Sequence, residues 1–252
     1  MIIKAEGVVL SQRNYRDSEK YLTILTKEYG LIETAFRVFG QVKRAAYQSL
    51  GVCGYYRFDL FVNKNRYSVN AIEKIEDFFG LRYDVEKLAL AGYFCELTQS
   101  LVPPRELAWV YLRLLLNTLH LLEQDKRTQE FLKAVFELRV MAISGFMPNL
   151  VCCRSCCAYQ KPNMYFLPLS GELVCSDCLD PMSREIKALV SPTVLNAMRY
   201  IIYKDFEQLY GFSLDKEPLR QLGTITEFYL LSRIEREFKS LDLYHQLHRE
   251  EP

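Results

Sequence analysis

Six of the chain's eight cysteines lie between Cys152 and Cys178. Inside that segment, Cys153-Arg-Ser-Cys156 and Cys175-Ser-Asp-Cys178 form two C-x2-C hooks separated by eighteen residues. Each hook lets two sulfurs turn toward one ion at about 2.3 Å, so a matched pair specifies a tetrahedral four-thiolate site. Cys152 and Cys157 flank the first hook and leave two x3 pairings open, Cys152 with Cys156 and Cys153 with Cys157. Only Cys153 with Cys156 repeats the x2 spacing of the second hook, which makes Cys152 and Cys157 bystanders on spacing alone. A catalytic zinc keeps an open position and commonly uses histidine. The three histidines, His120, His245 and His248, stand far from the cluster in sequence. The expectation is therefore one structural Zn²⁺ that contributes folding energy to a polar segment.

Cysteines gathered in one cluster, rather than spread as staples, point away from a secreted disulfide scaffold. Cys53 and Cys95 sit in apolar surroundings and read as buried thiols. The N-terminus lacks the apolar core of a signal peptide. Charged residues break every apolar stretch before the ~20 residues a membrane span needs. The expected setting is cytoplasmic, with no membrane partner. There is no Walker loop, G-x-G-x-x-G, H-E-x-x-H or G-x-S-x-G, and so no expectation of an enzyme.

Hydrophobic periodicity changes once along the chain. Up to about residue 78, short β-branched and aromatic runs alternate with turn candidates, a pattern that predicts a small five-stranded barrel. From Asp84 the period is helical. Helices are expected near 84–102, 106–122 and 129–144, then from Ser191-Pro192 to Tyr203, and over 217–238. The run from Tyr111 to Leu122 is apolar on most sides and reads as the central helix. The fold class is α+β: a nucleic-acid-binding barrel over 1–80, then an all-α domain over 81–252 with the cysteine segment 148–182 inserted as a loop.

The net charge is only +1. Any attraction for a polyanion must then come from local clustering. Between Arg13 and Arg66 ten basic residues stand against five acidic ones, a local excess of five. Aromatics interleave with them. Bases stack on rings while cations follow phosphates. Arg13, Arg16, Lys20, Arg37, Lys43 and Arg44 are the candidate DNA-binding residues, with Tyr15 and Tyr47 as candidate stacking rings.

The chain as a whole resembles the RecO family of bacterial recombination-mediator proteins. The resemblance rests on Gly7-Val-Val-Leu10, Arg13-Asn-Tyr-Arg-Asp-Ser-Glu19, Leu25-Thr-Lys-Glu-Tyr-Gly-Leu-Ile32, the stretch from Gly40 to Arg44, and Phe136 to Leu150 leading into the cysteine segment. In that pattern the first ligand follows five residues after Pro148, which selects Cys153. The residue after the second cysteine is usually glycine, whereas here it is Cys157. The basic loop at Gly40 to Arg44 is thinner than the family's. The resemblance implies an N-terminal OB-fold, a helical C-terminal domain and a zinc loop. It also implies binding of single- and double-stranded DNA, strand annealing, and a nucleoid-associated location. The implied partners are RecR, the C-terminal tail of single-stranded DNA-binding protein and, indirectly, RecA. An acidic-aromatic tail needs rings beside cations, which makes Phe131, Lys133, Phe136 and Arg139 the candidate pocket. The contrasting class is a zinc-ribbon adaptor whose barrel binds RNA or protein.

Overall fold

The computed structural model describes residues 1–16, 19–37, 50–64, 66–103 and 108–248, with Arg16 in its backbone alone. The described residues fall into two compact units, Met1–Lys126 joined by the chain from Phe238, and Arg127–Glu237.

The first unit opens with five strands: β1 (Ile2–Arg16), β2 (Glu19–Thr26), β3 (Gly30–Arg37), β4 (Tyr55–Asn63) and β5 (Arg66–Glu76). They close into a barrel in the order β1-β2-β3-β5-β4, the expected OB architecture. Closure depends on β1, which is long enough to serve two neighbours. Its first half pairs with β4 from Ile2 to Val8, and from Gly7 onward it pairs with β2. Gly7 belongs to both ladders, and a Cβ there would lie 2.5 Å from the Leu25 carbonyl oxygen. No larger residue fits so close a crossing without moving the backbone. Alternation then sorts the faces. On β3, Ile32, Thr34 and Phe36 are buried while Glu33 and Arg37 are exposed. On β4, Tyr56, Phe58 and Leu60 point into the same core.

Helix α1 (Val85–Leu101) and helix α2 (Ala108–Glu123) follow in this unit. Asp84 caps α1 by accepting from the Lys87 N–H at 3.0 Å. His120 lies exposed on α2 rather than in the core.

The second unit begins with α3 (Gln129–Ile143), in which every residue from Phe131 to Met141 is buried. This helix, not the Tyr111–Leu122 run, is the one enclosed on all sides. The cysteine segment is more regular than a loop. It forms a four-stranded sheet of β6 (Asn149–Cys153), β7 (Met164–Leu167), β8 (Glu172–Cys175) and β9 (Ala188–Val190), in the order β6-β8-β7-β9. Gly171 closes the β7–β8 turn with φ 74° and donates its N–H to the Leu167 carbonyl at 2.8 Å. That left-handed backbone favours glycine. Helix α4 (Pro192–Tyr203) starts as expected, with the Ser191 hydroxyl accepting from the Val194 N–H and proline at N1.

Helix α5 (Lys216–Ile234) stops short of Phe238, because Glu235 adopts a left-handed φ of 51°. The polar tail is not loose: it forms α6 (Lys239–His248) in the first unit. Phe238 is buried edge-on to Tyr93 of α1 at 5.7 Å, and Ser240 bonds to Glu96. No helix among the described residues is long and apolar enough to cross a membrane.

Candidate nucleic-acid interface and metal centre

Strands β6 and β8 are parallel neighbours, so their C-terminal ends carry the two hooks to one place. Cys153 ends β6, Cys175 ends β8, and Cys178 closes a short 3₁₀ turn, Ser176–Cys178. The Sγ atoms of Cys153, Cys156, Cys175 and Cys178 all lie within 4.8 Å of one another. Cys156 and Cys175 are 3.7 Å apart. A tetrahedron with metal–sulfur bonds of about 2.3 Å has edges of about 3.8 Å. The four that gather are the x2 set.

The backbone readies these sulfurs for a cation. Burial opposes ionisation of Cys153, but the N–H groups of Cys156, Cys175 and Ser155 outweigh it and bring the thiol down to about 6. The Cys175 N–H lies 3.4 Å from that sulfur. Cys178 goes the other way, up to about 12, through hydrogen bonds with the Cys156 and Cys175 thiols. Four converging sulfurs are compatible with a structural zinc ion. Arg199 of α4 holds the hook region. It donates to the carbonyls of Leu150 at 2.7 Å and Tyr159 at 2.6 Å, and lies 3.9 Å from the Tyr159 ring centroid.

On the barrel, register places Arg13 opposite Tyr21, and Tyr21 opposite Ala35. The Arg13 guanidinium lies 5.8 Å from the Tyr21 ring centroid. Tyr15 meets Tyr21 edge-on at 5.5 Å. Tyr15 is 57% exposed and Tyr21 38%, too open for core rings. Arg37 is also on this sheet, paired with Glu19 at 2.9 Å. That hydrogen bond raises the arginine's pKa and offsets part of its charge. Lys20 reaches the Gln12 side chain at 3.5 Å, and partial burial lowers its pKa. Register sets Arg13 and Arg37 on the face of Tyr21, whereas Lys20, opposite Asn14 and Phe36, lies on the other face. Arg16 is described in its backbone alone, and Lys43, Arg44 and Tyr47 lie outside the described residues. Tyr21, one of the aromatics that interleave with the basic residues in the sequence, stands opposite Arg13 in the hairpin.

The expected tail pocket on α3 takes a different form. Phe131 and Phe136 are core residues. Lys133 is buried and bonded to Glu137 at 2.8 Å and to Glu227 at 2.5 Å. Arg139 donates to the carbonyls of Ile201 and Ile202 and stacks at 4.6 Å on Phe206. Because α3 is enclosed, its cations satisfy internal acceptors rather than rim a groove. Burial dominates at Glu137 and raises its pKa despite Lys133.

Two family models match in series, "Recombination protein O N terminal" over residues 1–78 and "Recombination protein O C terminal" over residues 82–242. Among curated relatives, the DNA repair protein RecO of Acetivibrio thermocellus is 27% identical over 98% of both chains. Those of Alkaliphilus metalliredigens and Caldicellulosiruptor bescii are each 30% identical over 96% of this chain and 98% of theirs. With both halves matched in order around a barrel and a four-cysteine sheet, the chain belongs to the RecO family of DNA repair proteins.

Proposed function

We propose that this protein binds single- and double-stranded DNA through its barrel, residues 1–80, and anneals complementary strands without catalysing a covalent step. With RecR it helps load RecA onto DNA coated by single-stranded DNA-binding protein, whose C-terminal tail it contacts. The observation that carries the DNA reading is the open patch of Arg13, Tyr15 and Tyr21 on β1–β2, with Arg37 on the same face of β3. Cations there meet phosphates, and exposed rings meet bases. Zn²⁺ held by Cys153, Cys156, Cys175 and Cys178 supports the fold of the second unit and takes no part in annealing.

Salt titration of DNA binding tests this. Each phosphate contact on a single strand contributes a log–log slope of roughly −0.7. Replacing Arg13 and Lys20, or Lys43 and Arg44, with alanine should flatten the slope by about 1 to 1.5 units. The loss should be equal on unrelated sequences, because phosphates carry no base identity. Annealing of strands coated with single-stranded DNA-binding protein should slow in parallel. Wild-type affinity and slope in both double variants would place the DNA surface elsewhere.

A further inference from the structure

Two cysteines of the first unit stand outside the metal cluster, and the function proposed above uses neither. Cys53 lies in the turn that leads into β4, and Cys95 lies midway along α1. Both thiols are buried, and their Sγ atoms approach to 3.5 Å. The other six cysteines fall in the second unit, so within the first unit each of these sulfurs has only the other as a partner. A disulfide needs its sulfurs about 2.05 Å apart, which leaves ~1.5 Å to close by side-chain rotation. The backbone holds Cys53 in place for this. Its N–H donates to the Val9 carbonyl at 2.9 Å, and the Gly54 carbonyl accepts from the Val9 N–H at 3.0 Å, which pins the turn to β1. Cys53 also adopts a left-handed φ of 70°. That conformation favours glycine and penalises a side chain. The turn has glycines at Gly51 and Gly54, yet a cysteine fills the strained position between them. Such strain persists only where the surroundings enforce it, and it gathers at sites with a role.

We propose that Cys53 and Cys95 form a reversible dithiol–disulfide site, closed by a peroxide, that fastens the turn before β4 to helix α1. Cys53 reacts first, because local opening of a turn needs less than unwinding the middle of a helix. Its sulfur attacks one oxygen of hydrogen peroxide, the O–O bond breaks, and a sulfenic acid and one water result. The Cys95 sulfur then attacks the Cys53 sulfur. The S–S bond forms as the S–O bond breaks, and the hydroxyl leaves with the Cys95 proton as a second water. The two thiols together give up two electrons, and the peroxide takes them. The hydrogen bond with Cys53, together with burial, pushes the Cys95 thiol well above its usual pKa. The pair therefore rests as a dithiol, and a dithiol reductant restores it from the disulfide by exchange. The closed bond joins residues 42 apart in sequence, with β4 and β5 inside the loop. Closing a loop of that size restricts the unfolded chain and so stabilises the folded one.

The test treats the whole zinc-loaded chain with hydrogen peroxide, alkylates the remaining thiols and maps the peptides by mass spectrometry. The expected product is a peptide pair joined through Cys53 and Cys95, lighter by two hydrogens than its separate parts, which dithiothreitol parts again. The first unit should melt about 5–10 °C higher in the oxidised protein than in the reduced one. Cys53→Gly serves as the matched control. It removes one thiol, suits the left-handed backbone and leaves the metal cluster intact, so any peroxide damage to the cluster is common to both proteins. This variant should lose both the linked peptide and the rise in melting temperature. If Cys53 and Cys95 are both still alkylated after peroxide, the pair is a plain core contact and the proposal fails. A Cys53 sulfinic acid that no reductant reverses would overturn it too. So would a linked peptide that forms only when the chain is unfolded before oxidation.

Discussion

Cys157 occupies the left-handed backbone region, with φ 57° and its N–H bonded to the Cys153 carbonyl at 3.0 Å. A side chain there costs about 1–2 kcal/mol, a conformation that glycine adopts freely. Cys157→Gly should therefore retain stoichiometric zinc by elemental analysis. It should also gain about 0.5–1 kcal/mol in urea unfolding once the extra chain entropy of glycine is subtracted. Cys175→Ser should lose the metal, whereas Cys152→Ser should keep it. Lys133 is a residue of another kind. Its partner Glu137 is wholly enclosed, so Lys133→Met leaves a buried carboxylate without this counter-charge and should cost about 3–5 kcal/mol at neutral pH. The sign with pH follows from the raised pKa of Glu137. Without Lys133 the Glu137 carboxyl takes up a proton more readily in the folded than in the unfolded state, so the deficit should shrink as pH falls. Urea midpoints at pH 7 and pH 5 would show this, and equal deficits would contradict it.

At the scale of elements, regular amphipathic helices were legible and irregular features were not. Ser191-Pro192 announced α4 through a hydroxyl acceptor and a fixed φ, both local properties. Helix α6 was missed because its apolar anchor is one residue before its start: Phe238, buried against Tyr93 of α1. No window of sequence shows a contact between residues so far apart in the chain. Phe238→Ala should cost about 3–5 kcal/mol, read as a lower urea midpoint for the first unit. The cysteine sheet was taken for a loop because its strands are short, Met164–Leu167 and Glu172–Cys175 among them. Runs of that length carry little periodicity.

For the whole molecule, the metal cluster and the barrel belong to different compact units. Chelating the zinc should therefore lower the stability of the second unit while the salt slope of DNA binding stays at its wild-type value. Circular dichroism melts and salt titrations on the same stripped sample would check both. Equal spacing of two hooks picked out the four cysteines that gather, a spacing that suits a tetrahedral ion. A single change of hydrophobic period determined the order of barrel and helices, because side-chain direction repeats every two residues in a strand and every 3.6 in a helix. The basic residues of the barrel were legible as a local excess of charge, but not which of them stand open. Arg37 is held by Glu19, and both cations chosen on α3 are bonded inside the core. Glu19 reaches Arg37 within the β2–β3 hairpin and Glu137 lies one helical turn from Lys133, but tertiary structure decided the rest, since those acceptors are brought from other elements. Of the two cations on α3, Lys133 finds Glu227 on α5 and Arg139 finds the carbonyls that end α4. None of these partners lies within a helical turn or a hairpin of the residue it satisfies.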